Sequence, residues 1–282
     1  MRILLNEEQW KKMREYWKQT NEDPNAIYPE TDLNKKFYHP RIAHLKPNIT
    51  YRCDRGCWNC NRAAGVCPAT TREDMDPGQL KALLEESVKI GKEWTHITLT
   101  GGEPTMHDRF GEFVDIIMDY KNNHFQKCIA DVYTYHHPKH YYKVEEALKK
   151  HPGLIIKDTG KSTVQPQRWA MYNAPVDDPK LGANHIYGGC NDGARLCGLG
   201  LDTTGLYFCS VACGVARVFG FKGIQSLSEL TVENLIFQFQ NICSKRGFYA
   251  RYNTRGQKKN IISPTWRKAI DQWRANNGSC SQ

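Results

Sequence analysis

Apolar positions along the chain switch between a helical and a strand period, and that switching predicts the architecture. Trp10, Met13 and Tyr16 or Trp17 recur at helical spacing, which predicts a helix over 7–20. A connector rich in Pro and Asn follows to about residue 46. Asn48 to Tyr51, with Ile49 and Tyr51 on one side, reads as a short strand running into Cys53. Asp76-Pro77 is a helix start, Asp as the cap and Pro at the first helical position. Leu80, Leu83, Leu84, Val88 and Ile90 then give a core face up to about Trp94. A β-branched strand over 95–100 ends in Gly-Gly, and a helix over 108–120 turns Phe110, Phe113, Ile116 and Ile117 inward. A strand over 129–134, a helix over 138–150 and a strand over 154–157 continue the alternation. After residue 158 the pattern weakens to a short helix near 167–171, a hairpin over 199–209 turning at Asp202–Gly205, and helices over 232–244 and 264–276.

Strands and helices alternating at this spacing predict an α/β fold with a parallel sheet closed or half closed by helices. In such folds chemistry sits at the C-terminal ends of strands. The chain has 282 residues, 40% hydrophobic and 24% charged, as expected of an ordinary globular protein. No apolar run approaches the 18 or so residues of a membrane span. The N-terminal apolar patch is too short for a secretory signal, so a cytoplasmic location, with no membrane partner, is the expectation.

Eleven cysteines require a cause. Four fall between 53 and 67 and four more between 190 and 213. An odd number without a secretory signal argues against a disulfide framework, and close spacing reads as metal ligation. Cys53-Asp-Arg-Gly-Cys57-Trp-Asn-Cys60 puts three thiols on one loop, which can hold three irons of a cubane cluster and leave the fourth open. The competing reading is a zinc knuckle completed by Cys67. Some forty residues on, Thr100-Gly101-Gly102-Glu103-Pro104 follows a strand. Its glycines allow close backbone approach to a ligand, and Glu103 offers a carboxylate for an ammonium group.

The two motifs together resemble the radical S-adenosylmethionine (radical SAM) superfamily over roughly residues 47–160. The resemblance implies a partial (β/α)6-type barrel, a [4Fe-4S] cluster with an open iron on Cys53, Cys57 and Cys60, and SAM on that iron. Gly101, Gly102, Glu103 and Pro104 would position the SAM amino group, with Thr134 and Asp158 as further cofactor contacts at strand ends. It also implies reductive cleavage of SAM to a 5′-deoxyadenosyl radical that abstracts hydrogen, fed by a one-electron donor such as flavodoxin or ferredoxin. The family places an aromatic residue before the third cysteine, against adenine; here that slot is Asn59, and the aromatic is Trp58.

Cys190, Cys197, Cys209 and Cys213 bracket the hairpin, with Cys243 beyond. This resembles the twitch or SPASM extensions, and implies a small α+β cysteine-rich region with a second [4Fe-4S] cluster, zinc or free thiols being the alternatives. Cys280 stands as a further possible ligand, and Cys67 and Cys128 as structural thiols. The expected organisation is an N-terminal helix and connector (1–46), the barrel (47–180) and the twitch-like unit (181–282). The expected substrate is a peptide or small molecule undergoing oxidation or cross-linking. Asp158-Thr-Gly160-Lys161-Ser162 imitates a phosphate loop but has Ile155 where the first glycine should stand. Tyr133-Thr134-Tyr135-His136-His137, with His140, is equally a polar loop or a place for substrate binding or proton transfer.

Net charge is +9, nearly all of it beyond residue 213. Between Lys245 and Lys259 six cations interleave with Phe248, Tyr249 and Tyr252, a pattern able to stack bases and neutralise phosphates. It motivates two alternatives: radical SAM modification of a nucleotide or nucleic acid, and a non-catalytic zinc-stabilised nucleic-acid-binding protein.

Overall fold

The computed structural model of the chain describes residues 43–135, 137–161, 163–165, 170–177, 198–247 and 257–277. The helix expected over 7–20, Cys190, Cys197, Cys280, His136 and the aromatic residues 248, 249 and 252 lie outside them. Six strands form one sheet: β1 (His44–Thr50), β2 (His96–Gly101), β3 (Ile129–Thr134), β4 (Ile155–Asp158), β5 (Leu199–Asp202) and β6 (Gly205–Tyr207). The helices are α1 (Pro77–Lys89), α2 (Phe110–Asn123), α3 (Tyr141–Lys150), α4 (Ser210–Phe219), α5 (Val232–Ile242) and α6 (Pro264–Asn277).

The sheet order is β4-β3-β2-β1-β5-β6, parallel from β4 to β5 with β6 antiparallel at the edge. The expected parallel α/β sheet is therefore present, with one difference in winding. The first four strands run outward in sequence order, whereas the hairpin β5–β6 crosses to the other side of β1. It pairs Leu45 with Leu199 and Pro47 with Leu201 and extends the barrel sheet.

Alternation along each strand separates two faces. Leu45, Ile49, Ile97, Leu99, Ala130 and Val132 join Leu80, Leu84, Phe113 and Ile117 of the helices in one hydrophobic core. The alternate residues are polar and touch across strands. His44 stacks on His96 at 4.3 Å and reaches Thr98 Oγ1 at 3.0 Å. His96 bonds Asp131 at 2.7 Å, Lys157 pairs with the same carboxylate, and Lys46 and Lys157 lie over the Tyr133 ring. The sheet thus has one apolar face, packed on the helices, and one polar face.

Local chemistry sets the element ends. Asp76 Oδ1 accepts Gly78 N at 2.7 Å, so α1 starts where the sequence places it. It stops at Lys89, short of Trp94, because Gly91 takes φ +69°. Strand β1 begins at His44, four residues before the expected start. Pro47 cannot donate to the ladder, but Asn48 Nδ2 supplies a donor to Leu201 O at 3.4 Å on that edge.

The C-terminal elements pack on the barrel through their cations. Arg217 forms a two-pronged ion pair with Glu73 and lies between the Tyr51 and Trp273 rings, 4.8 Å from each. Lys245 covers Phe221, Arg246 is buried against Cys209, and Arg274 donates to Val66 O. Four of the cations that make the tail basic thus act inside the fold, which weakens the motive for nucleic-acid binding. No helix among the described residues is long and apolar enough to cross a membrane.

Lys92 is buried 3.9 Å over Trp94, and burial pulls its ammonium down to about 8. Between about pH 8 and 10.5 the unfolded chain holds a proton here that the folded chain has released, so this group's contribution rises with pH. Lys92→Met is therefore expected to stabilise the protein at pH 7 by up to about 3 kcal/mol. The advantage should shrink toward zero by pH 10.5 in paired denaturant melts. A constant difference across that range would contradict this.

Candidate active site

A cavity of about 210 Å³ opens at the C-terminal ends of the first four strands, where the fold predicts chemistry. Cys53, Cys57 and Cys60 line it from the loop after β1, and Gly101, Gly102 and Glu103 from the end of β2. Thr134 and Tyr135 line it after β3, Thr159 and Lys161 after β4, and Ser210 and Val211 at the start of α4. Two motifs forty residues apart thus face one space because β1 and β2 are neighbours.

The glycines have a stronger reason than ligand approach. A Cβ on Gly101 would stand 2.2 Å from Thr50 O, and one on Gly102 would stand 2.3 Å from Arg52 O. Gly102 N donates to Thr50 O at 2.7 Å and Glu103 N to Arg52 O at 2.8 Å, which fastens the root of the cysteine loop to β2. The pairing of β1 with β2 shifts register between Asn48 and Thr50, immediately before this crossing.

Glu103 is 1% exposed. Its Oε1 accepts Thr105 N, Thr105 Oγ1 and Thr134 Oγ1 at 3.2, 2.7 and 2.6 Å, and its Oε2 accepts Tyr135 N at 3.1 Å. Thr134 therefore supports the carboxylate while lining the cavity. Pro104 is buried as the first residue of a 3-10 turn, 104–106. Asp158 is not brought to the site: its side chain is exposed and accepts Gly160 N at 2.7 Å, closing a turn. The residues that reach inward from that strand end are Thr159 and Lys161.

The cysteine loop is held on several sides. Gly56, Asn59 and Ala63 all take left-handed φ values of 53–57°. Asn59 is fully buried and faces away from the cavity: its N donates to Asn260 Oδ1, its Nδ2 to Lys259 O, and its Oδ1 accepts Ile261 N. The slot that carries an aromatic in the family is here a clasp to the C-terminal segment, and Trp58 does not line the cavity. Tyr172 donates to Cys60 O at 2.8 Å. The aromatic rings that do line the cavity are Tyr133 and Tyr135. Tyr135 donates to Asp54, carries the Arg55 guanidinium 4.4 Å over its ring, and neighbours His137, which bonds Asp54 at 3.0 Å.

The three thiols line one cavity, and two of them accept backbone donors. Cys57 Sγ accepts Gln165 N at 3.3 Å and Cys60 Sγ accepts Arg62 N at 3.5 Å, donors of the kind that stabilise coordinated thiolate. Burial pushes the Cys53 thiol up to about 12, so its ionised form needs a positive partner. Among the described residues no group of three or more His, Cys, Asp or Glu, these three cysteines included, is drawn together as around a bound metal ion. Burial raises Cys67 to about 12 and Cys128 to about 11, in keeping with structural thiols.

Of the second cysteine group, Cys209, Cys213 and Cys243 are described, and all are buried. Cys209 caps α4, its Sγ accepting Ala212 N at 3.4 Å and Arg246 Nη1 at 3.0 Å. Cys213 lies against Gly200, where burial pushes its thiol well up. Sequence reasoning missed Lys46, Arg55, Arg62, Lys161 and Ser210 as cavity residues. Arg55 and Arg62 were findable as the cations inside and beside the cysteine motif, and Tyr133 and Tyr135 of the polar loop do line the cavity.

A cysteine loop after the first strand and a Gly-Gly-Glu turn after the second, facing one cavity, are the parts of a radical SAM domain. Residues 47–154 match the Radical SAM superfamily, so the chain carries a domain of that superfamily, which implies a [4Fe-4S] cluster and SAM. The chain is 28% identical over 83 residues to GTP 3′,8-cyclase of Alkaliphilus oremlandii (strain OhILAs), covering 29% of this chain and 25% of that protein. It is 25% identical over 133 residues to GTP 3′,8-cyclase of Hydrogenovibrio crunogenus (strain DSM 25203 / XCL-2), covering 47% and 38%. The matches to these curated relatives thus span well under half of their length. Among solved structures, BtrN in complex with AdoMet and 2-DOIA is similar with a TM-score of 0.40 and 14% identity, over 72% of this chain and 87% of that one. SuiB of Streptococcus suis is similar with a TM-score of 0.31 and 17% identity, over 42% and 24%.

Proposed function

We propose that Cys53, Cys57 and Cys60 hold a [4Fe-4S] cluster and that the protein uses it to cleave SAM reductively and take a hydrogen atom from a substrate carbon. The single observation that carries this reading is the cavity shared by the three cysteines, the Gly-Gly-Glu turn and the ends of β3 and β4. When bound, cluster and SAM supply one electron and a carbon radical able to attack an unactivated C–H bond. The chain's own residues do the rest. Glu103 Oε2, which accepts Tyr135 N alone among the described residues, would be the carboxylate oxygen that takes the SAM ammonium. The Asn59 and Tyr172 contacts fix the cysteine loop, and the buried strand ends around the cavity exclude water from it.

The substrate is read as a small molecule, because the cavity is narrow and walled by side chains from five elements. The names of the curated relatives add support for a nucleotide-like compound. An electron-accepting auxiliary cluster on Cys190, Cys197, Cys209 and Cys213, and the oxidative outcome it would serve, belong to the same proposal. Supporting it, Cys209 and Cys213 lie one helical turn apart at the start of α4.

The test is anaerobic reconstitution followed by incubation with dithionite and SAM. Formation of 5′-deoxyadenosine, with loss of at least a hundredfold in Glu103→Ala, is the expected result. About eight irons per chain support the auxiliary cluster, whereas about four remove it and leave SAM cleavage standing. An iron-loaded protein that makes no 5′-deoxyadenosine sinks the proposal.

A further inference from the structure

The wall of the cavity formed by α4 has a chemistry that neither the cluster nor SAM uses. Ser210 and Val211, the first residues of this ten-residue helix, line the cavity, and their backbone N–H groups have no acceptor among the described residues. A helix N-terminus of this kind favours an anion. Beside it lies Arg62, 7% exposed and also on the cavity wall. Its Nη1 and Nη2 donate to Ser210 O and Oγ at 2.8 and 2.5 Å, which locks the guanidinium against the helix start. Its Nε is buried without a partner, and so is the Nε of Arg55, which lines the same cavity from the cysteine loop. Unpaired buried donors on a cation are costly, and a bound anion removes that cost.

Charge points the same way. Lys46, Arg55, Arg62 and Lys161 line the cavity, against the single carboxylate of Glu103. A cubane on three thiolates adds about one negative charge. SAM, with an ammonium, a sulfonium and one carboxylate, returns a positive one. Roughly three positive charges are left among the described lining residues for the substrate to balance, and the auxiliary cluster proposed on Cys209 and Cys213 would offset about two of them.

We propose that the N-terminus of α4, with Arg62 and Arg55, binds a phosphate group of the substrate, so that the enzyme acts on a phosphorylated small molecule. This rests on the function proposed above and names the substrate class of the same site. Among the described residues the α4 wall offers the cavity backbone N–H groups and guanidinium donors, so the phosphate carries the affinity assigned here. The phosphate at α4 and the SAM ammonium at Glu103 approach from different walls, which orients the substrate carbon between them.

The test is calorimetric titration of the anaerobically reconstituted full chain with inorganic tripolyphosphate, with citrate as a carboxylate probe. Tripolyphosphate is expected to bind at 100 mM salt, and Arg62→Gln and Arg55→Gln are each expected to weaken it at least tenfold at unchanged iron content. Arg55→Gln keeps the test decisive should Arg62→Gln fail to fold, because the Arg55 guanidinium stacks on the Tyr135 ring and its Nε bonds nothing among the described residues. No binding of tripolyphosphate, binding unaffected by the substitutions, or citrate binding equally with the same arginine dependence would each overturn the inference. A sample that takes up no iron fails the radical SAM reading instead. One that cleaves SAM but binds no tripolyphosphate overturns only the phosphate site.

Discussion

A chain with Cys53, Cys57 and Cys60 all replaced by alanine is expected to lose about four irons per molecule and all 5′-deoxyadenosine formation while remaining folded. The three thiols share the cavity wall, and none of them is a hydrogen-bond hub of the fold: Cys57 and Cys60 each accept one backbone N–H. The loop keeps its shape through Asn59, the Tyr172 bond to Cys60 O and the Ala63 N bond to the same carbonyl, none of which needs a sulfur atom. The cost to stability of trimming three thiols is therefore modest, about 1–3 kcal/mol. Iron analysis, the charge-transfer absorption near 400 nm and a thermal melt check the prediction together. A triple variant that keeps its full iron content would show that the cluster sits elsewhere.

Gly102→Ala should be nearly as damaging, by another route. Its Cβ would meet Arg52 O at 2.3 Å and Tyr51 O at 2.7 Å, both backbone atoms with no flexible end to move. Relief requires the start of the cysteine loop to separate from β2, breaking the bonds from Gly102 N to Thr50 O and from Glu103 N to Arg52 O. Overpacking and two lost hydrogen bonds together cost about 3–5 kcal/mol. The separation also displaces Cys53 relative to Glu103, so reconstituted iron should fall by more than half. Gly111→Ala is the control, since an added methyl there meets nothing within 4 Å and lies in a helix. Equal stability and iron content in the two variants would contradict the structural role given to Gly102.

The period of the apolar residues was enough to read the parallel core. The strand over 129–134 and the start of α1 lie where alternation and capping place them, and the strand expected over 154–157 is found one residue on, at 155–158, because those signals are local. Two features depended on partners distant in sequence. Strand β1 starts early because Asn48, and not Pro47, supplies a donor toward β5. The hairpin joins the barrel sheet because β1 has a free edge for Leu199–Leu201, which no local pattern reveals.

At the site, the cysteines and the Gly-Gly-Glu turn were legible as motifs, but Asn59 was legible only as a departure. Its purpose appears with Lys259, Asn260 and Ile261, some 200 residues away, closing on it. Asp158 was placed by counting along a strand, and a turn closed by its own side chain carries the chain past it to Thr159 and Lys161. The basic tail looked like a surface because charge is counted without partners. Glu73, Cys209, Phe221 and Val66 are the partners that draw Arg217, Arg246, Lys245 and Arg274 inward.

The most direct measurement of the central claim is the low-temperature paramagnetic resonance spectrum of the dithionite-reduced, reconstituted protein, recorded before and after SAM is added. A cluster on three protein thiolates has one iron open to a new ligand, so its reduced signal should shift in g-values with SAM, and Cys53→Ala/Cys57→Ala/Cys60→Ala should lack that signal. A cubane signal that SAM leaves unchanged, or a colourless protein containing zinc, would contradict the account.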